Sequence, residues 1–223
     1  MKTQIKLVIA LLSVARIGFS QGFVNLDFES ASIAGNVTGN EITATNAFPG
    51  WTVSAHYIYY DDTSLSGGSI SIFDSNPPYS LPPIQGNYFA WLVGSGNLLL
   101  SPISIGQTGL VPAGTQSISF WGTDSGMQIT FAGQPLNFIQ TGSAANYNIY
   151  TADISAFAGQ TGQLLFTVPL NADGGFLDNI QFSTSAVPEP SMFALTALGG
   201  LLLGFSRRKS EFNSPTINTR GAK

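Results

Sequence analysis

The sequence contains no cysteine. That excludes disulfides, thiolate metal centres and a cysteine nucleophile, and it leaves the cellular compartment open. There is one histidine, His56. A zinc centre needs more nitrogen or sulfur ligands than this chain owns. A Ser–His–Asp device would have to use His56, but no Gly-x-Ser-x-Gly turn accompanies it. His56 shares the polar side of its segment with Thr52 and Ser54, as a solvated histidine does.

Charge is also scarce, at 9% of residues against roughly 25% in an average globular chain. Positive charge is missing from the whole middle. The eight basic residues are Lys2, Lys6, Arg16, Arg207, Arg208, Lys209, Arg220 and Lys223. Between Gln21 and Ala186 stand ten acids (Asp27, Glu29, Glu41, Asp61, Asp62, Asp74, Asp124, Asp153, Asp173 and Asp178) and no lysine or arginine. Such a body has no phosphate clamp and no surface that releases counterions, so nucleic acid is excluded as a partner. It has no arginine or lysine to pair with a buried carboxylate either, and a metal ion is the obvious substitute.

Helical periodicity is missing apart from one turn at Asp153 to Ala158, with Asp153 as its cap. What is present is period-two alternation between turn clusters: FVNLDFE (23–29), WTVSAHYIYY (51–60), NYFAWLV (87–93), SISFWGT (117–123), MQITFAG (127–133), QLLFTV (163–168) and FLDNIQF (176–182). The proline-rich stretch from Asn76 to Pro83 cannot pair as a central strand. Many short strands without a repeat period predict one all-β domain, a β-sandwich, over residues 21–185.

The two ends read differently. Lys2 and Lys6 precede an apolar run from Leu7 to Ala15, and Gly18 and Ser20 are small residues ahead of a cut before Gln21. This order predicts a signal peptide over residues 1–20. Near the other end, Met192 to Phe205 carries no charge. As a helix it would be about 21 Å long, short for a bilayer core of about 30 Å. Arg207, Arg208 and Lys209 follow and resist translocation, which keeps them cytoplasmic and puts the body outside.

Val187-Pro188-Glu189-Pro190-Ser191, the apolar run, and then Arg207-Arg208-Lys209 resemble the PEP-CTERM sorting signal of Gram-negative bacteria. The resemblance implies a sorting signal with a short transmembrane helix over 186–209. It implies processing by a membrane-embedded exosortase, transient anchoring in the inner membrane, and a final place on the cell surface or in an exopolysaccharide matrix. The polar tail 210–223 departs from the family, whose members usually stop soon after the bases.

The body resembles jelly-roll modules of the galactose-binding or carbohydrate-binding kind. The matching residues are Asn25 to Glu29, Gly50-Trp51-Thr52, Gly86 to Ala90, Tyr150 to Gly159, Leu165-Phe166 and Leu177 to Phe182. The resemblance implies first and last strands side by side, with residue 29 near residue 178. It also implies a structural calcium ion between them.

Three kinds of site residue follow. Alternation puts Asp178 with Phe176, Ile180 and Phe182 on the apolar face, where a lone carboxylate costs several kcal/mol. Either a calcium ion held by Glu29 and Asp178 relieves it, or a β-bulge at Asp178-Asn179 turns the acid to solvent. The opposite parity of Leu177 and Ile180 supports the bulge. Among the tryptophans, Trp51 and Trp91 share faces with apolar residues and read as core. Trp121 sits with Ser117 and Ser119 and reads as a sugar-stacking platform. Tyr57, Tyr59 and Tyr60 beside Asp61 and Asp62 mix aromatics and acids as sugar sites do, and equally as a strand end with a solvated turn does. The expected function is a non-catalytic structural or adhesive protein linked to exopolysaccharide. The alternative is a carbohydrate-binding module with a defined glycan, and a secreted glycan hydrolase with paired carboxylates comes third.

Overall fold

The computed structural model describes residues 22–62, 68–74, 84–94, 101–123 and 126–187. The expected signal peptide (1–20), Pro188 to Ser191 of the sorting motif, the apolar run and the bases Arg207, Arg208 and Lys209 lie outside the described residues. Among the described residues no helix is long and apolar enough to cross a membrane. Every element below belongs to the compact unit Met1–Ser185.

Among the described residues, fourteen strands form two sheets. In chain order they are β1 (Val37–Thr38), β2 (Glu41–Ile42), β3 (Thr52–Ser54), β4 (Tyr57–Tyr60), β5 (Ser69–Asp74), β6 (Tyr88–Val93) and β7 (Ile103–Leu110), then β8 (Ser117–Gly122), β9 (Gln128–Phe131), β10 (Gln134–Pro135), β11 (Ile139–Ser143), β12 (Asn148–Asp153), β13 (Thr161–Val168) and β14 (Gly175–Ser183). The larger sheet has the order β1-β2-β4-β5-β6-β14-β8-β12-β11, and the smaller one β10-β9-β13-β7-β3. From β6 to β9 and again from β12 to β14 the chain crosses between sheets at each step, and the last strand lands in the middle of the larger sheet. This is an all-β jelly-roll sandwich. The pairing is antiparallel except for β4 with β5, which run parallel.

Alternation within each strand fills the space between the sheets. Ile70, Ile72, Ala90, Leu92, Phe120 and Leu177 of the larger sheet belong to one buried cluster with Ile103, Ile105, Phe131, Leu164 and Phe166 of the smaller one. Full burial of each such side chain contributes about 1.5–3 kcal/mol. Trp51 belongs to this core, as expected. Its indole N–H donates to the Asn25 carbonyl at 2.9 Å, and its ring lies 5.6 Å from Phe28. The turn expected at Asp153 to Ala158 is a 3-10 turn over Ser155–Phe157, and the Asp153 carboxylate accepts the Ser155 N–H at 2.8 Å.

Three local expectations are corrected. FVNLDFE is not a strand. Asn25 and Phe28 take positive φ, 50° and 57°, which breaks extended pairing. The Gln107 side chain holds Val24 instead, accepting from its N–H at 2.6 Å and donating to its carbonyl at 3.0 Å. WTVSAHYIYY is two strands in different sheets, β3 and β4, so Trp51 does not share a face with Tyr57 and Tyr59. Finally, the bulge in FLDNIQF exists but does not expose the acid. The register of β14 on β8 shifts between Asp178 and Gln181, and Asn179 supplies the left-handed residue at φ 46°. The shift returns Ile180 to the core and leaves Asp178 on the outer face of the larger sheet, yet Asp178 is 0% exposed.

Candidate functional site

The outer face of the larger sheet carries an aromatic cluster of its own. Cross-strand register sets Phe73 opposite Phe89, Ser71 opposite Trp91, Trp91 opposite Phe176, and Asp178 opposite Trp121. Alternation therefore places all these side chains on one face. Phe73 and Phe89 stack at 5.5 Å and 16°. Trp91 lies 5.6 Å from both Phe73 and Phe176. Trp121 and Tyr147 stack with nearly parallel rings, 4.9 Å apart at 7°. Phe73, Phe89 and Ile84 are buried, and Trp91, Trp121, Tyr147 and Phe176 are half-buried around them. Trp91 is thus not in the sandwich core, because its strand presents it to the opposite side.

The tyrosines divide. Register pairs Tyr57 with Ser69 and Tyr59 with Ser71, which puts both on the outer face. Their rings stack at 5.5 Å and 23°, and Tyr57 is 37% exposed. Burial, then Tyr57 and Glu41, push the Tyr59 hydroxyl up. Tyr60 alternates to the other side, where its hydroxyl donates to Asp74 Oδ2 at 2.7 Å. Trp121 stands four strands from Tyr57 and Tyr59, roughly 19 Å at the usual inter-strand spacing. The face therefore offers two aromatic pairs, and Tyr60 is in neither. His56 is exposed and meets Tyr57 edge-on at 4.0 Å.

Glu29 and Asp178 come close where the first segment, the turn 84–87 and β14 meet. The Ile180 N–H donates to the Leu26 carbonyl at 2.9 Å, which lays the two chain ends of the domain side by side. Glu29 Oε1 accepts the N–H groups of Asn87 at 2.6 Å and Tyr88 at 2.9 Å, and Oε2 accepts from Asn87 Nδ2 at 2.8 Å. Gly86 makes this possible. It takes φ +60°, and a Cβ there would lie 2.3 Å from Glu29 Oε1. Asp178 accepts the Gln85 N–H at 2.9 Å and the Asn179 N–H at 2.6 Å. Burial, with smaller pushes from Glu29 and Asp27 and against the pull of those two donors, raises its carboxyl to about 8.

Gln85, whose backbone N–H is held by Asp178, carries a buried side-chain oxygen, Oε1, without a hydrogen-bond partner. Two carboxylates, an orphaned amide oxygen and no basic side chain fit a hard, oxygen-preferring cation. Among the described residues no three Asp, Glu, His or Cys side chains converge on one point. The rest of such a shell would be neutral oxygens.

A cleft of about 200 Å³ opens between the sheets, lined by Phe120, Ile129, Leu136, Phe138 and Tyr150 among others. It is smaller than the usual 300–1,000 Å³ of small-molecule sites. Sequence reasoning missed Gln85 and Tyr147. Gln85 acts through its place in a turn and Tyr147 through the pairing of β12 with β8, and neither leaves a local signal. Phe176 and Trp91 were legible as strand residues but were assigned to the wrong face.

No protein-family model and no curated protein matches the chain. Solved structures do resemble it. A Stig cyclase, Fisc from Fischerella sp. TAU, solved with an indole-containing ligand, is 14% identical at a TM-score of 0.45, covering 73% of this chain and 96% of that one. The module TmCBM61, in complex with β-1,4-galactotriose, is 17% identical at a TM-score of 0.39, covering 74% and 99%. A family 11 carbohydrate-binding module from Clostridium thermocellum, with a mixed-linked tetrasaccharide, is 12% identical at a TM-score of 0.34, covering 67% and 97%.

Proposed function

We propose that this is an exported, non-catalytic β-sandwich of the bacterial cell exterior that contacts polysaccharide. Its sorting rests on the sequence. All basic residues lie in the two end segments, the order of export and PEP-CTERM signals. On this reading an exosortase processes the tail at Val187 to Ser191, after the bases Arg207 to Lys209 have held the chain in the inner membrane.

The contact with polysaccharide rests on one observation. Trp121 and Tyr147 stack as a half-buried pair with nearly parallel rings at the rim of the outer aromatic cluster. Flat aromatic groups match the apolar faces of pyranose rings. A stacked ring contributes about 1 kcal/mol, or about fivefold in affinity. Glu29, Asp178 and Gln85 Oε1 hold a structural calcium ion that ties the first segment to the last strand. The ion would supply the positive charge that the body lacks.

A panel of bacterial exopolysaccharides tests the glycan contact. The full chain in mild detergent should be retained by at least one member. Trp121→Ala and Tyr147→Ala should each weaken that retention about fivefold without lowering the melting temperature by more than a few degrees. Retention by none of the glycans, or retention unchanged in both variants, would leave only a structural role.

A further inference from the structure

A second group of acids lies at one end of the larger sheet, where the parallel strands β4 and β5 finish. Asp61 and Asp62 follow β4 directly, and Asp74 closes β5. Parallel register sets Tyr60 opposite Ile72, so β5 runs two residues beyond the end of β4, alongside Asp61 and Asp62. The Asp61 N–H donates to the Ile72 carbonyl at 2.9 Å, and the Asp62 N–H to Ser71 Oγ at 3.4 Å. All three aspartates are buried, at 8%, 6% and 5% exposure. Tyr60 donates to Asp74 Oδ2, and Asn40 Nδ2 donates to Asp62 Oδ2. Asp61 differs from both, because its Oδ1 is buried and has no hydrogen-bond partner at all.

Several kcal/mol oppose burying a carboxylate without a counter-charge, and about 1–3 kcal/mol oppose an unsatisfied buried oxygen. Protonation of Asp61 removes the first cost and not the second. A proton on Oδ2 leaves Oδ1 a buried carbonyl oxygen without a partner. A cation removes both costs. No lysine or arginine exists between Gln21 and Ser206 to act as one. The Asp61 carboxyl is pushed up first by burial and then by Asp74 and Asp62, which places those carboxyls within electrostatic reach of it.

We propose that Asp61 Oδ1, together with the Asp74 carboxylate, forms a second divalent-cation site, of calcium type and distinct from the Glu29–Asp178 pair. No third acid is required, because calcium accepts neutral oxygens and water among its six to eight ligands. Magnesium, which demands a compact octahedron, suits a site built on two strand ends less well. Tyr88 adjoins both sites. Its N–H is held by Glu29, and it stands opposite Asp74 in the register of β5 on β6.

Calorimetric titration of the EDTA-treated full chain with calcium chloride tests the assignment, with Glu29→Gln/Asp178→Asn as the background that removes the other site. In that background one equivalent of calcium should still bind. Adding Asp61→Asn should abolish it or weaken it at least tenfold, and magnesium should not compete at equal concentration. Asp61→Asn removes a buried charge at constant shape, so in EDTA it should melt no lower than its background. Should that variant fail to fold, Asp74→Asn in the same background takes its place with the same expected loss. Terbium in place of calcium gives a second readout. Its emission, sensitised by Tyr60, should persist in the Glu29→Gln/Asp178→Asn chain and fall on Tyr60→Phe. No calcium binding in the background chain, or equal binding after Asp61→Asn or Asp74→Asn, overturns the proposal.

Discussion

Replacing Asp178 with asparagine should remove a pH dependence that this one carboxyl imposes on the calcium-free domain. In the unfolded chain the group titrates near 3.8, and in the folded protein it is pushed up to about 8. Between those values the folded protein keeps a proton that the unfolded chain releases. Stability therefore falls as pH rises through the window, and the loss is complete above the folded value. At 1.36 kcal/mol per unit, the full shift of about four units sets a ceiling of about 6 kcal/mol. From pH 5.5 to 8 the loss is about 3 kcal/mol, or roughly 6–12 °C in melting temperature for a domain of this size. Asparagine does not titrate, so the slope goes. It also turns an amide group toward one of the two N–H donors that face Asp178, from Gln85 and Asn179, which costs about 1–3 kcal/mol at every pH. The two curves should therefore converge or cross as pH rises: wild type more stable at pH 5.5, the variant equal or better near pH 8.5. Thermal unfolding in EDTA across that range measures both. Calcium, by favouring the Asp178 carboxylate, should flatten the wild-type curve and have no such effect on the shape of the variant's. A flat wild-type profile in EDTA, or the same slope in both proteins, would refute the reasoning.

Other consequences follow from packing and from the ends of the chain. Gly122→Ala would set a Cβ 2.0 Å from the Phe176 carbonyl oxygen. It should cost about 3 kcal/mol or more, seen as a lower urea midpoint, and a neutral result would mean that β8 and β14 are less closely joined than described. Gln107→Leu removes both hydrogen bonds that hold Val24. The expected loss is about 1–3 kcal/mol, with faster amide exchange at Val24. Intact mass of surface-released protein should show a start at Gln21 and an end near Pro190 or Ser191, and recovery of the whole tail would argue for permanent anchoring instead.

What could be read in advance, and what could not, separates along one physical line. Strands whose two faces meet different surroundings announce themselves by alternation: β6, β8 and β9 lie inside segments read that way, and β13 and β14 overlap them. β5 did not, because all six of its residues are buried, so Ser69 and Ser71 are hidden as thoroughly as Ile70 and Ile72. The same fact misassigned Trp91. A sheet that is apolar on both sides has two interiors, and alternation cannot say which one a tryptophan enters. FVNLDFE failed for the opposite reason. Its alternation is real, and Phe28 is fully buried. Yet the backbone runs through two left-handed residues, and a glutamine side chain does the work of a neighbouring strand. Asp178 shows how parity can be right and its consequence wrong. The mismatch between Leu177 and Ile180 revealed the bulge, and a bulge does turn one residue away from the core. Away from the core is not toward water when a turn such as 84–87 lies across the outer face. The acid then exchanges an apolar interior for a second enclosure, in which its oxygens accept the N–H groups of Gln85 and Asn179.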